Sequence, residues 1–360
     1  MNYKMKYSAA VIAAGVLLGG LGLNGQVIDA SAFKSGVKAA ISTQQTSKTE
    51  AALEWNGKSL SQKGMLDHGT VYVPATAIRD ALGIPLKYDA KNKEYTLGNG
   101  YNKLIAKVYD ANEIYLSVNR FYAGEPGGKI VNGRLYIPYK VLNQYMGIQG
   151  QWSPSAKWLS MKPKKQNPIT IKTETVKKKI SNTTAVVNYP VISGLENEEV
   201  QTNINKVLKM NAEETIAGFE QNTGGLSPSG KDYPYEFQGE FVVNYNAQGL
   251  LSITTYSYSF TGGAHGMTFR KSFTFSLEDG KQMKLGDFVN MQGTNKQKLN
   301  NLVLNKMKKD GGYLGGFKGV PADADFYLKD NAAVLYFQLY DYTAYAYGFP
   351  EFELKLKDWK

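Results

Sequence analysis

The chain has 360 residues, 42 Lys and Arg against 31 Asp and Glu, a formal charge of +11, no cysteine, and two histidines, His68 and His265. These counts exclude a disulfide scaffold, a cysteine zinc site, thiol catalysis and an all-histidine metal cage, and a Ser-His-Asp triad would have two imidazoles to draw on. At roughly 150 residues per domain the length predicts two or three domains, and 42% hydrophobic with 12% aromatic residues fits an ordered globular chain.

Residues 1–32 have the order of an export signal. Lys4 and Lys6 form a basic start, an apolar run covers 8–23, and Ala30-Ser31-Ala32 supplies the small-x-small cleavage pattern. The run has 16 residues, short of the roughly 20 that span a bilayer, so cleavage after Ala32 is expected, with membrane attachment only if the segment is retained. The protein is then secreted or wall-associated. Its mature charge stays near +10, which draws it to anionic envelope polymers and leaves nucleic acid out as a partner. Residues 33–50 are small and polar, the composition of a flexible tether.

A duplication follows. Val71-Tyr72-Val73-Pro74 recurs as Leu135-Tyr136-Ile137-Pro138, Leu82-Gly83-Ile84 as Met146-Gly147-Ile148, and Tyr88 as Trp152, all at one offset of 64 residues. In each copy a turn (His68-Gly69, Asn132-Gly133) leads into a strand ending at proline. A short helix over 75–82 or 139–146 follows, stopped by glycine. An extended aromatic segment and a closing strand complete the copy. The two copies resemble the copper amine oxidase N-terminal-like stalk domain, common in tandem on exported proteins of Gram-positive bacteria, and the resemblance covers roughly 51–163. In that family the oxidase chemistry belongs to another domain. Asn244-Tyr245-Asn246 resembles the quinone-precursor motif, but two histidines cannot supply the copper site, so amine oxidase activity is excluded and no cofactor or metal is expected.

Residues 157–179 hold eight lysines, one acid, and the breakers Pro163 and Pro168. The stretch 164–180 reads as a basic linker leading into an edge strand; alternatively Lys162, Lys164, Lys165, Lys177, Lys178 and Lys179 form a contact strip for anionic wall polymer. Residues 181–360 read as α+β, an antiparallel sheet with helices packed on one face. Val187–Pro190 is a strand, and Val200, Ile204, Val207, Leu208, Ile216 and Phe219 repeat at helical spacing over 196–220. A loop covers 223–231, and strands over 241–245 and 250–260 form a hairpin about Ala247-Gln248-Gly249. A strand over 268–277, a helix over 296–309, and strands over 334–340 and 352–356 follow.

This half, with Gly262-Gly263-Ala264-His265 and the Tyr345-Ala346-Tyr347-Gly348 ending, resembles the extracellular domain of the lysozyme-sensing anti-sigma factor and the N-terminal region of some peptidoglycan deacetylases. The resemblance implies recognition of an envelope protein such as a muramidase, or of wall glycan.

Two places are candidate ligand sites. The Gly262-Gly263-Ala264-His265-Gly266 loop joins two strands; His265 either binds a ligand or caps a nearby carbonyl. Tyr336, Tyr340, Tyr342, Tyr345 and Tyr347 lie within twelve residues, with Tyr342, Tyr345 and Tyr347 expected at the surface, though alternate positions would equally fill a sheet core. The 360 residues hold no deacetylase metal-binding motif. The leading expectation is therefore a non-enzymatic, exported envelope-binding protein; the alternatives are a wall-modifying hydrolase acting through His265 and a distant acid, or a structural wall spacer.

Overall fold

His68-Gly69 and Asn132-Gly133 take positive φ at both residues (46° and 77°, 50° and 73°), the two-residue hairpin turn whose twist matches the flanking strands. Each turn therefore closes a hairpin at the same place in each repeat. A computed structural model describes residues 49–110, 113–223 and 234–359. The expected signal segment, most of the expected tether, and 224–231 of the expected loop lie outside the described residues. Thr49 and Glu50, assigned above to the tether, already pair with Leu66 and Met65. Among the described residues no helix is long and apolar enough to cross a membrane.

The first repeat comprises β1 (Thr49–Trp55), β2 (Lys58–Ser59), β3 (Gly64–Asp67), β4 (Thr70–Pro74), α1 (Ala75–Leu82), β5 (Leu86–Asp89) and β6 (Glu94–Leu97). β7 (Leu104–Val108), β8 (Ile114–Val118) and β9 (Phe121–Tyr122) connect it to the second, made of β10 (Lys129–Val131), β11 (Arg134–Pro138), α2 (Tyr139–Tyr145), β12 (Ile148–Ser153) and β13 (Trp158–Pro163). β4 and β11 pair antiparallel with Val73 opposite Ile137, Tyr72 opposite Pro138 and Pro74 opposite Tyr136. Val73 faces its own equivalent, and Tyr72 and Pro74 each face the equivalent of the other, so the copies meet about a local two-fold axis within one sheet. Beyond that axis they diverge: β13 adds parallel to β1, whereas β5 and β6 enter a separate five-stranded sheet with β7, β8 and β9.

The remainder runs β14 (Thr170–Ile180), β15 (Thr183–Ser193), α3 (Glu198–Thr223), β16 (Glu236–Ala247), β17 (Leu250–Phe260), β18 (Met267–Ser276), α4 (Gly293–Lys309), β19 (Phe326–Lys329), β20 (Ala332–Tyr336) and β21 (Glu351–Lys355). It is α+β, as expected. β14 to β18 form one sheet in chain order, covered by α3 through Val200, Ile204 and Leu208 over Phe241, Ile253 and Phe273. β19, β20 and β21 form a second sheet, covered by α4 through Leu299, Val303 and Met307. The β15–β16 junction is parallel at Val186 and Val187, because α3 carries the chain back along the sheet as a crossover.

Three expectations change. The basic linker over 164–180 is an 11-residue edge strand from Thr170 onward; Ile171 and Ile180 are buried near its two ends while its lysines, at odd and even positions alike, face solvent, so no alternation announced it. The strand expected over 334–340 stops at Tyr336. Gln338 takes up the neighbouring backbone with its side chain, donating from Nε2 to the Arg270 carbonyl (2.7 Å) and accepting from the Arg270 N–H (3.0 Å). Tyr340 then turns the chain at φ 67°. The stalk core also crosses the expected limit at residue 163, since buried Val242 and half-buried Tyr256 belong to the same apolar cluster as Leu53, Ile78 and Ile137.

Candidate functional site

The loop after β17 and the tyrosine-rich segment after β20 meet, although 75 residues separate His265 from Tyr340. The His265 imidazole stacks on the Tyr345 ring, 3.9 Å between centroids and 20° between planes, and the Tyr340 ring lies 5.5 Å from that of Tyr345. The Gly266 carbonyl accepts from His265 Nδ1 (2.8 Å) and from Tyr345 Oη (3.0 Å). Nδ1 then carries the proton and Nε2 is the acceptor, 3.4 Å from the Tyr340 hydroxyl. His265 thus caps a carbonyl and presents an exposed face beside Tyr340, which is 43% exposed. Gly266 is required there, because a Cβ would lie 2.3 Å from the Tyr258 ring. Gly262 and Gly263, at φ 98° and 99°, shape the loop tip and touch nothing that a side chain would displace.

The other two tyrosines are placed elsewhere. Tyr342 stands edge-on against Phe317 (5.4 Å) and Phe337 (4.8 Å), packed on the core beneath α4. Tyr347 donates to Asp310 Oδ2 at 2.7 Å, and burial together with that bond pushes its phenol up to about 12. Neither faces the histidine. The exposed tyrosine of the cluster is Tyr340, which sequence reasoning passed over because nothing in the pattern announces its left-handed turn. Tyr342→Ala is accordingly expected to cost about 2 kcal/mol of stability in a urea melt; an unchanged melt would return Tyr342 to the surface.

The six lysines do not form one strip. Lys164 pairs with Asp330 (2.7 Å) and Lys178 with Glu220 (2.7 Å), while Lys162, Lys165, Lys177 and Lys179 are exposed. Lys164 and Lys165 precede the start of β14, and Lys177 to Lys179 lie at its other end, roughly 25 Å along the strand.

A larger concavity was missed altogether. A cleft of about 650 Å³ opens where the second repeat, the segment over 164–168, the β16–β17 hairpin and the β19–β20 turn converge. Its lining includes Asn244-Tyr245-Asn246, at a register shift in β16 between Val243 and Tyr245. Asn167 joins its walls, donating to Asn246 Oδ1 (2.8 Å) and the Leu250 carbonyl (2.9 Å) and accepting from the Gly249 N–H (2.8 Å). Among the described residues no group of three or more His, Cys, Asp or Glu is placed to hold a metal ion.

Three modules thus pack together, each around its own apolar cluster: a duplicated stalk-type unit, a sheet with a crossover helix, and a smaller sheet with its own helix. Comparison with known proteins gives the same division. A model of the copper amine oxidase N-terminal domain matches residues 54–161, one of the deacetylase PdaC family matches 176–268, and one of the DUF3298 family, of unknown function, matches 286–357. The chain is 25% identical over 147 residues to the peptidoglycan-N-acetylmuramic acid deacetylase PdaC of Bacillus subtilis, a match covering 41% of this chain and 28% of that protein. Two solved DUF3298 proteins, from Bacteroides fragilis and Pseudomonas aeruginosa, are each 18% identical. They cover 54% and 53% of this chain and 93% of their own, with TM-scores of 0.41 and 0.39. The expectation of a non-enzymatic chain is overturned by the match to a deacetylase.

Proposed function

We propose that this chain is an exported cell-envelope protein that engages the wall glycan, its stalk unit presenting the face formed by His265, Tyr340 and Tyr345. The observation that carries the reading is the stacking of His265 on Tyr345 beside an exposed Tyr340, which makes a stiff platform of rings with hydroxyl and imidazole edges. The similarity to a peptidoglycan deacetylase supports glycan as the ligand class. Cleavage after Ala32 belongs to the same proposal, and mass spectrometry of the exported protein should find Phe33 first.

Cosedimentation with purified peptidoglycan sacculi tests the reading. Tyr340→Ala and Tyr345→Ala are each expected to weaken binding roughly tenfold or more without loss of far-ultraviolet circular dichroism. Retention on sacculi only at low salt, unaffected by either change, would assign binding to Lys177 to Lys179 and anionic polymer instead. A heat of binding to a muramidase, lost in the same variants, would make an envelope protein the ligand. The similarity to a deacetylase also favours a second reading, modification of the same glycan, which acetate release from sacculi measures directly.

A further inference from the structure

The cleft described above is lined about equally by polar and apolar surface, and most of its polar side chains are uncharged amides. Asn102, Gln149 and Gln166 line it and make no side-chain hydrogen bond among the described residues. Gln166 reaches over Gly147, where a Cβ would stand 3.1 Å from its Nε2. Tyr101 and Tyr245 add ring faces. The charges of Lys164 and Asp330 cancel across 2.7 Å, which leaves Lys165 as the unpaired charge of the lining. The volume, about 650 Å³, falls within the roughly 300–1,000 Å³ of small-molecule sites.

Each primary amide offers two donors and one acceptor carbonyl, which suits a ligand whose groups both donate and accept. Sugar hydroxyls do this, and an acetamido group pairs reciprocally with a side-chain amide. A phosphate polymer needs donors and cations alone, and would leave the amide carbonyls unmatched. The walls are also pre-set: Asn167 ties the segment after β13 to the β16–β17 hairpin through three hydrogen bonds, and the register shift at Val243–Tyr245 re-aims β16 at this point.

We propose that this cleft binds a short, uncharged oligosaccharide bearing acetamido groups, at a site separate from the His265 platform. The proposal rests on the wall-glycan reading for the choice of sugar, while the cleft's chemistry stands without it.

The test is calorimetric titration of the full chain with N,N′,N″-triacetylchitotriose, with cellotriose, which has the same linkage and no acetamido group, and with poly(glycerol phosphate). Saturable binding of triacetylchitotriose is expected, with cellotriose weaker by roughly tenfold or more. Gln149→Ala and Gln166→Ala should each weaken it roughly fivefold, with melting temperature unchanged. Absence of saturable binding, equal affinity for cellotriose, or full affinity in the double glutamine variant would overturn the proposal. So would salt-sensitive binding of poly(glycerol phosphate) that both glutamine changes weaken. If sacculi still bind through Tyr340 and Tyr345 while triacetylchitotriose does not bind, the cleft proposal alone fails. If neither sugar nor sacculi bind, the wall-glycan reading fails with it.

Discussion

Arg270→Ala is expected to destabilise the protein by about 3 kcal/mol, read from urea melts as one transition shifted to lower denaturant. The Arg270 side chain is 9% exposed and donates from one guanidinium nitrogen to Glu351 Oε1 at 2.5 Å. Its charge lies over Phe349 (3.9 Å to the centroid), Phe121 (5.2 Å), Tyr256 (5.3 Å) and Tyr336 (5.8 Å). Phe121 itself stacks on Tyr256 at 4.2 Å. These rings come from the stalk unit, from β17 and from the segment around β20, so one side chain fills the space where all three modules meet. Truncation removes the ion pair and opens a ring-lined cavity together. Glu351 is 37% exposed and can regain water, which keeps the loss toward the lower end for a buried pair. Arg270→Met should lose less, because an unbranched chain refills the ring cage, while Glu351 regains water as it does in the alanine variant. An alanine variant within 0.5 kcal/mol of the parent, as for an ordinary surface change, would remove Arg270 from this role.

Asp325→Asn is expected to stabilise the protein by about 2–3 kcal/mol above pH 7 and to change little at pH 4. Asp325 follows the turn into β19, and burial pushes its carboxyl up to about 6, against the weaker opposing effects of Gln338, Lys271 and the Ser272 backbone. A raised carboxylate means that the folded state holds this proton more tightly than the unfolded chain. The stability it confers is complete below the unfolded value near 4 and is lost as pH rises through about 6. Asparagine keeps an acceptor for Gln338 Nε2, 3.4 Å away, and carries no charge to desolvate. Melts at pH 4, 5, 6 and 7 should show the variant pulling ahead across that window. Parallel curves would mean that Asp325 is solvated when charged.

The fold was legible where local physics and spacing agree. Helix over 75–82 follows from a proline start, apolar spacing and a glycine stop, and α1 has those bounds, with Gly83 at φ 64°. The β16–β17 turn was readable because Gln248-Gly249 accepts positive φ at both places. β14 was not, since its buried Ile171 and Ile180 stand nine residues apart with no alternation between them, among exposed lysines that satisfy a linker equally well. The candidate site was half legible. His265 and Tyr345 stood out by residue type, but their stacking depends on where β18 and β20 carry the two loops. Tyr342 and Tyr340 exchanged roles because exposure there is set by a left-handed residue and by the Phe317–Phe337 pocket, neither of which has a periodic signature.

By itself, the sequence determined the 64-residue duplication, the α+β class, and the excess of basic over acidic residues, because these rest on spacing and composition that no packing can alter. Tertiary structure alone decided that the two copies pair Val73 with Ile137 about a two-fold axis and then part into different sheets. It also decided that Asn244-Tyr245-Asn246 lines a shared cleft and that Arg270 is caged by rings from three modules. Register and inter-module contact depend on which buried faces fit one another across more than a hundred residues of chain, and local propensity is blind at that range.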